Sequence, residues 1–209
     1  MPLHLLDFNN GVTNRGTPAL QRLCGGGQVW GVRHRTELPP DDGTWILTGG
    51  PGSPLEEGPW RTPVLEALRR RAGRGAPTFA ICYGFELLSL AFGADVRPLP
   101  ARRLGVYPLL LTEAGRADPL VAPFHGAPTW ENRSWGVFDG AGAGLADGAD
   151  GDRLIIRFGE ANWGVMFHPE AGEDGVRAAR ADLGIEVDPT GLDHIHLGLV
   201  PTFMAGFSR

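Results

Sequence analysis

Apolar positions in the first half of the chain fall into short runs closed by glycine and proline, and longer amphipathic stretches separate them. Residues 3–8, Leu-His-Leu-Leu-Asp-Phe, predict a buried strand ended by the turn residues Asn9-Asn10-Gly11. A short helical pattern over 18–24 stops at Gly25-Gly26-Gly27. Residues 29–32 and 45–47 predict two further strands. Over 59–71 the apolar residues Val64, Leu65 and Leu68 fall on one helical face. A central strand is predicted at 77–81, followed by a helix over 85–92 that Gly93 closes. This alternation signals an α/β fold with a mainly parallel sheet.

The second half has a different rhythm. Strands are predicted at 106–111, 154–158 and 163–167 with no long helix between them, which suggests a small antiparallel extension. Residues 158–163 read as a hairpin loop. Residues 139–152, almost all Gly, Ala and Asp, read as a mobile surface loop, since their acids lack the spacing of a calcium loop. The apolar segment 197–207, with Pro201 inside it, is expected to pack on the domain or cover a partner surface. No repeat or linker interrupts the pattern, so residues 1–209 are expected to form a single domain.

Composition removes several functions. The formal net charge of −5 argues against a nucleic-acid platform. The six tryptophans are scattered and are expected to line core or pocket, not to stack bases. All 19 basic residues are arginine, which excludes both a lysine Schiff base and a Walker A loop. The run Arg69-Arg70-Arg71 reads as the solvated end of a helix. Only Cys24 and Cys82 occur, so neither a disulfide framework nor a four-cysteine zinc site is expected. With no signal-peptide pattern and no apolar run of membrane-spanning length, a reducing, cytoplasmic setting is expected. No cofactor is called for. Asp193-His194-Ile195-His196 has metal-ligand chemistry but no third partner at suitable spacing, and no metal site is expected there.

Two distant stretches carry the chemistry. The first is Ala80-Ile81-Cys82-Tyr83-Gly84, where a strand runs sharply into a helix. A cysteine on such a turn matches the logic of the nucleophile elbow, and a helix N-terminus favours its thiolate. Taken alone, Cys82 would be read as a small core hydrophobe. The second stretch, His168-Pro169-Glu170, changes that reading. Pro169 holds His168 in extended geometry, so His168 and Glu170, two apart, project to one side. Together the three side chains point to a Cys-His-Glu acyl-transfer site. Cys24 has no such context. The turn Gly49-Gly50-Pro51-Gly52 follows a strand and should lie at the carboxyl edge of the sheet. The N–H groups of Gly50 and Tyr83 are candidate oxyanion donors, a role closed to Pro51.

These residues resemble the class I glutamine amidotransferases. The resemblance rests on Ile46-Leu47-Thr48-Gly49-Gly50-Pro51-Gly52-Ser53-Pro54, the Cys82 elbow, and Trp163-Gly164-Val165-Met166-Phe167-His168-Pro169-Glu170, in that order along the chain. Asp118-Pro119-Leu120 and the stretch 104–112 look like the stand-alone, GMP-synthase-like branch. The resemblance runs from about residue 3 to residue 172. It implies a flavodoxin-like, doubly wound domain with helices on both sheet faces. It also implies attack of Cys82 on the side-chain amide of glutamine, a γ-glutamyl thioester, and release of ammonia. Catalytic roles for Cys82, His168 and Glu170 follow, with Gly50 and Tyr83 as oxyanion donors and Gly52 in the substrate pocket. A separate synthetase subunit is implied as ammonia acceptor if the activity is biosynthetic.

The chain departs from the family pattern twice. Glu86 stands where a glutamine usually helps hold the substrate, and an ionised carboxylate only accepts hydrogen bonds. Phe85-Glu86 is similar to the related γ-glutamyl hydrolases. The stretch Glu131-Asn132-Arg133-Ser134-Trp135 lacks the histidine that, with neighbouring substrate contacts, is common in this region of the family; the resemblance implies Glu86 and Ser134, with Gly52, as substrate-binding residues. The expectation is a glutaminase-type amidotransferase, with a γ-glutamyl peptidase or hydrolase, or a non-catalytic binding subunit, as alternatives.

Overall fold

A computed structural model describes residues 1–9, 16–34, 37–140 and 142–207. Strands β1 (Leu3–Asp7), β2 (Gln28–Gly31), β3 (Thr44–Leu47) and β4 (Thr78–Ile81) alternate with helices α1 (Gly16–Leu23) and α2 (Arg61–Gly73). Helix α3 (Tyr83–Ala91) then leaves the end of β4. The four strands pair in parallel in the order β2-β1-β3-β4. Every residue of β3 and β4 is buried, as expected of parallel strands covered on both faces. Helix α3 is buried at nearly every position because Phe85, Leu87 and Leu88 leave it no polar face.

The second half builds β5 (Val96–Pro108), α4 (Glu113–Ala117), β6 (Pro128–Val137), β7 (Ala143–Asp147), β8 (Arg153–Phe158) and β9 (Asn162–Val165). Strand β9 joins β4 in parallel, and β8, β6 and β5 continue the sheet antiparallel beyond it, with β7 added on β8. Helices α5 (Glu173–Leu183) and α6 (Leu192–Phe207) end the described chain. Phe203 of α6 packs against Phe79 and Trp163 of the central strands, so the C-terminal segment covers the protein's own core. The architecture is the mostly parallel α/β sheet with helices that the sequence predicts, and the 158–163 hairpin joins β8 to β9 as expected. Among the described residues no helix is long and apolar enough to cross a membrane.

Four local expectations need correction or fall outside view. The strand predicted at 106–111 begins ten residues earlier and stops at Pro108, pairing with β6 at 96–98 and 103–108 on either side of a register shift. The run 139–152 contains β7, because Leu145 and Ala146 are buried and Ala143, Gly144, Ala146 and Asp147 pair with β8. Arg71 is not solvated: it is wholly buried and donates to the carbonyls of Asp41, Gly43 and Pro77 at 2.6–2.9 Å. Its guanidinium lies 4.2 Å from the Trp45 ring centre, so three acceptors and an aromatic face replace water. Burial pulls its pKa down to about 10, opposed by Asp41, which still leaves a cation at neutral pH. The predicted turn at Asn10-Gly11 lies outside the described residues.

Candidate active site

Cys82 caps α3 with φ 48° and ψ −108°, and no other non-glycine among the described residues has positive φ. Such a backbone costs on the order of 1–3 kcal/mol, so the surroundings must hold it. They do so from both sides. The Cys82 N–H donates to Val165 O of β9 at 2.8 Å, and Cys82 O accepts from Glu86 N–H at 2.9 Å. Gly84 N–H donates to Thr48 O at 3.1 Å, and a Cβ on Gly84 would lie 2.5 Å from Leu47 Cβ. Only glycine permits that approach of α3 to β3.

His168 lies just past β9, the strand beside β4. Its N–H donates to Trp130 O of β6 at 2.9 Å, and its carbonyl accepts from Ala171 N–H at 3.1 Å. Nδ1 lies 2.7 Å from Glu170 Oε1, which leaves Nε2 for a reacting partner. The His196 ring, on α6, bonds through Nδ1 to Pro169 O at 3.0 Å and so braces the same turn. Cys82 and His168 line one cleft and both flank Gly49. Burial works to lower the pKa of His168. Glu170 and then Cys82 outweigh it and hold the imidazole well above its ordinary value. The arrangement can therefore hold the His168 ring as an imidazolium.

The loop after β3 forms the facing wall. Asn9 Nδ2 and Thr48 Oγ1 donate to Gly49 O at 3.1 and 2.8 Å, which fixes that peptide. A Cβ on Gly49 would sit 2.9 Å from His168 Cε1 and 3.6 Å from Cys82 Cβ. Gly49→Ala is accordingly expected to push on the imidazole held by Glu170. Displacement of a reacting group by about 1 Å costs roughly 10²-fold in rate, so kcat should fall by about that much while the melting temperature changes little; steady-state kinetics beside thermal unfolding checks this. Among the described residues no backbone carbonyl accepts from Gly50 N–H or Tyr83 N–H, so both are available as donors.

A cleft of about 1290 Å³ brings Cys82, His168, Glu170, Gly50, Gly52, Glu86 and Ser134 onto one surface. Of the sequence-predicted residues only Tyr83 is missing from its lining. The Tyr83 ring packs on Phe8 and Trp60, and its N–H stands at the head of α3. Ser134 is exposed on β6. Glu86 is buried one helical turn beyond Cys82, and burial raises its pKa to about 8 against the opposing charges of Arg133 and His168. Arg133 itself is buried between Glu131 and Asp152, each at 2.7 Å. Sequence reasoning missed the roles of Asn9, Trp130, Arg133 and His196. The first two act through a loop amide and a backbone carbonyl that no motif announces. The Asp193–His196 motif proves to be a brace: Asp193 accepts from Glu173 N–H at 2.9 Å while His196 holds Pro169. Among the described residues no group of three or more His, Cys, Asp and Glu side chains could hold a metal ion.

The family model for class-I glutamine amidotransferases matches residues 27–132. The chain belongs to this family. A glutamine amidotransferase-like protein of Salmonella typhimurium, YfeJ, is 33% identical over 145 residues, which are 64% of this chain and 60% of YfeJ. A glutamine-hydrolysing GMP synthase of Streptomyces avermitilis is 32% identical over 133 residues, 60% of this chain and 23% of the synthase. The chain thus spans less than two thirds of the length of these curated relatives. The crystal structure of a glutamine amidotransferase from Methylobacillus flagellatus superposes with a TM-score of 0.75 at 16% identity, covering 97% of this chain and 90% of that one. That likeness is one of fold.

Proposed function

We propose that this amidotransferase-family protein hydrolyses the side-chain amide of glutamine, or of a γ-glutamyl compound, through a Cys82 thioester. The carrying observation is a strained cysteine at the head of α3 sharing one cleft with a histidine whose Nδ1 lies 2.7 Å from Glu170. The Cys82 thiolate attacks the γ-carbonyl carbon, and the oxygen takes up negative charge facing the N–H groups of Gly50 and Tyr83. The C–N bond then breaks as His168 Nε2 gives its proton to the leaving nitrogen. Water, deprotonated by the same imidazole, attacks the thioester and releases glutamate and the thiolate. Glu170 keeps the imidazole in the required tautomer and steadies its positive charge. In a biosynthetic setting the ammonia would pass to a separate synthetase subunit.

Treatment with an electrophilic glutamine analogue tests this reading. Stoichiometric labelling is expected at Cys82, with parallel loss of ammonia release and protection by glutamine. Cys24 should stay unlabelled, since burial pushes its thiol up to about 11. Labelling elsewhere, or labelled enzyme that keeps its activity, would remove the proposed nucleophile. One observation favours a γ-glutamyl peptide as the natural amide: the cleft, at about 1290 Å³, exceeds the usual range of small-ligand pockets, roughly 300–1,000 Å³. Ammonia release from glutamine measured beside cleavage of γ-glutamyl peptides decides between the substrates.

A further inference from the structure

Arg33 follows β2 and does not line the cleft, yet its surroundings connect it to both candidate oxyanion donors. Its side chain is only 3% exposed. Nη2 donates to Pro51 O, in the Gly-Gly-Pro-Gly turn, at 2.8 Å. The guanidinium carbon lies 4.4 Å from the centre of the Tyr83 ring and 5.5 Å from that of Trp60. Tyr83 Oη in turn donates to Ser53 O of the same turn at 3.3 Å. The only carboxylate beside the guanidinium among the described residues is Glu56, at 3.9 Å and half exposed, which is a loose partner for a buried cation. Pro51 O thus gives Arg33 its shortest polar contact, with the Tyr83 and Trp60 rings beside the guanidinium.

Those contacts fall on one group each side of the oxyanion position. Pro51 follows Gly50 directly, so holding its carbonyl fixes the segment that orients the Gly50 N–H. Tyr83 supplies the other N–H, and its ring is held against the same guanidinium. A planar fork can bond a carbonyl and stack on a ring at once, which an ammonium does less well. Donors for an oxyanion act only when held at about 2.7–3.1 Å from where the charge develops.

We propose that Arg33 is a positioning residue that locks the Gly50 and Tyr83 N–H groups into mutual register. The inference rests on the proposed function, because it gives those two groups work to do. Arg33→Met removes the fork but keeps much of the volume, and Arg33→Lys keeps the cation. The expected result is a fall in kcat of about 10²-fold for Arg33→Met, the scale of one misplaced donor. KM should stay near the parent value, with Arg33→Lys between the two. Affinity for an aldehyde analogue of glutamine, whose hemithioacetal oxygen needs both donors, should fall in step with kcat. Alkylation of Cys82 by iodoacetamide, a displacement at saturated carbon that forms no oxyanion, should keep its parental rate.

Parental kcat in both variants would overturn the proposal. So would alkylation slowing as much as turnover, because that pattern describes general damage to the site. If only Arg33→Lys is soluble, its kcat and alkylation rate decide on the same terms. Failure of the underlying function looks different: parent enzyme that is not labelled at Cys82, or a Cys82→Ala variant that still turns over.

Discussion

Cys82→Ala is expected to lower kcat by on the order of 10⁴–10⁶-fold, the scale seen when a nucleophile is deleted from a triad. Ammonia release under saturating substrate measures it. The fold should survive, because the change is small and the Cys82 backbone bonds to Val165 and Glu86 remain. A second substitution separates chemistry from strain. Cys82→Gly should be as inactive as Cys82→Ala but more stable than it. Relief of the 48° φ contributes about 1–3 kcal/mol, against roughly 0.5–1 kcal/mol for the added freedom of the unfolded chain. A glycine variant that melts below the alanine variant would show that the elbow holds little strain.

The second large effect is expected from Glu86→Gln. Glu86 takes a proton at about pH 8 in the folded protein because burial disfavours its charge, although Arg133 and His168 oppose the shift. The unfolded chain releases that proton near 4.5. Between those values the folded state binds more protons, so the contribution of this group to stability is complete below about pH 4.5. It is lost as pH rises through about 8. At about one and a third kcal/mol for each pH interval of one, the loss is on the order of 5 kcal/mol. Glutamine carries no such proton. Parent and variant should therefore melt together near pH 5 and diverge toward pH 9, with the variant the more stable. A constant offset across that range would contradict the assignment.

Catalysis should follow the same titration. Below pH 7 a protonated Glu86 can donate and accept as glutamine does. Above about 8 it becomes an anion one helical turn from the thiolate and the developing oxyanion. The ratio of kcat/KM for free glutamine, variant over parent, should be near one at low pH and rise to about tenfold at high pH, the equivalent of 1.4 kcal/mol of like-charge repulsion. Parallel pH profiles would remove Glu86 from the substrate-facing wall.

Much of this was legible in the residue order. Contiguous apolar runs named β1, β3 and β4 because strands buried on both faces need no alternation. Cys82 and the His168-Pro169-Glu170 stretch were legible because a sharp turn and an extended tripeptide impose local geometry. The β5–β6 ribbon was hidden by its own chemistry. β6 buries Glu131 and Arg133, which satisfy each other and Asp152, so polar letters stand where core letters would announce a strand. β7 was hidden by glycine and alanine, whose weak strand preference is overridden by pairing with β8. Arg71 and Arg33 look like surface arginines until their carbonyl acceptors come together from distant segments.

Cys82 and His168 emerge from neighbouring parallel strands whose last paired residues are Ile81 and Val165. Their separation is consequently inherited from the rung spacing of a ladder, and the lengths of the connecting loops do not enter it. Insertions at the outer tip of the β8–β9 hairpin leave the pair untouched. A slip of β9 by a single rung against β4 would instead swing the imidazole to the opposite side of the sheet.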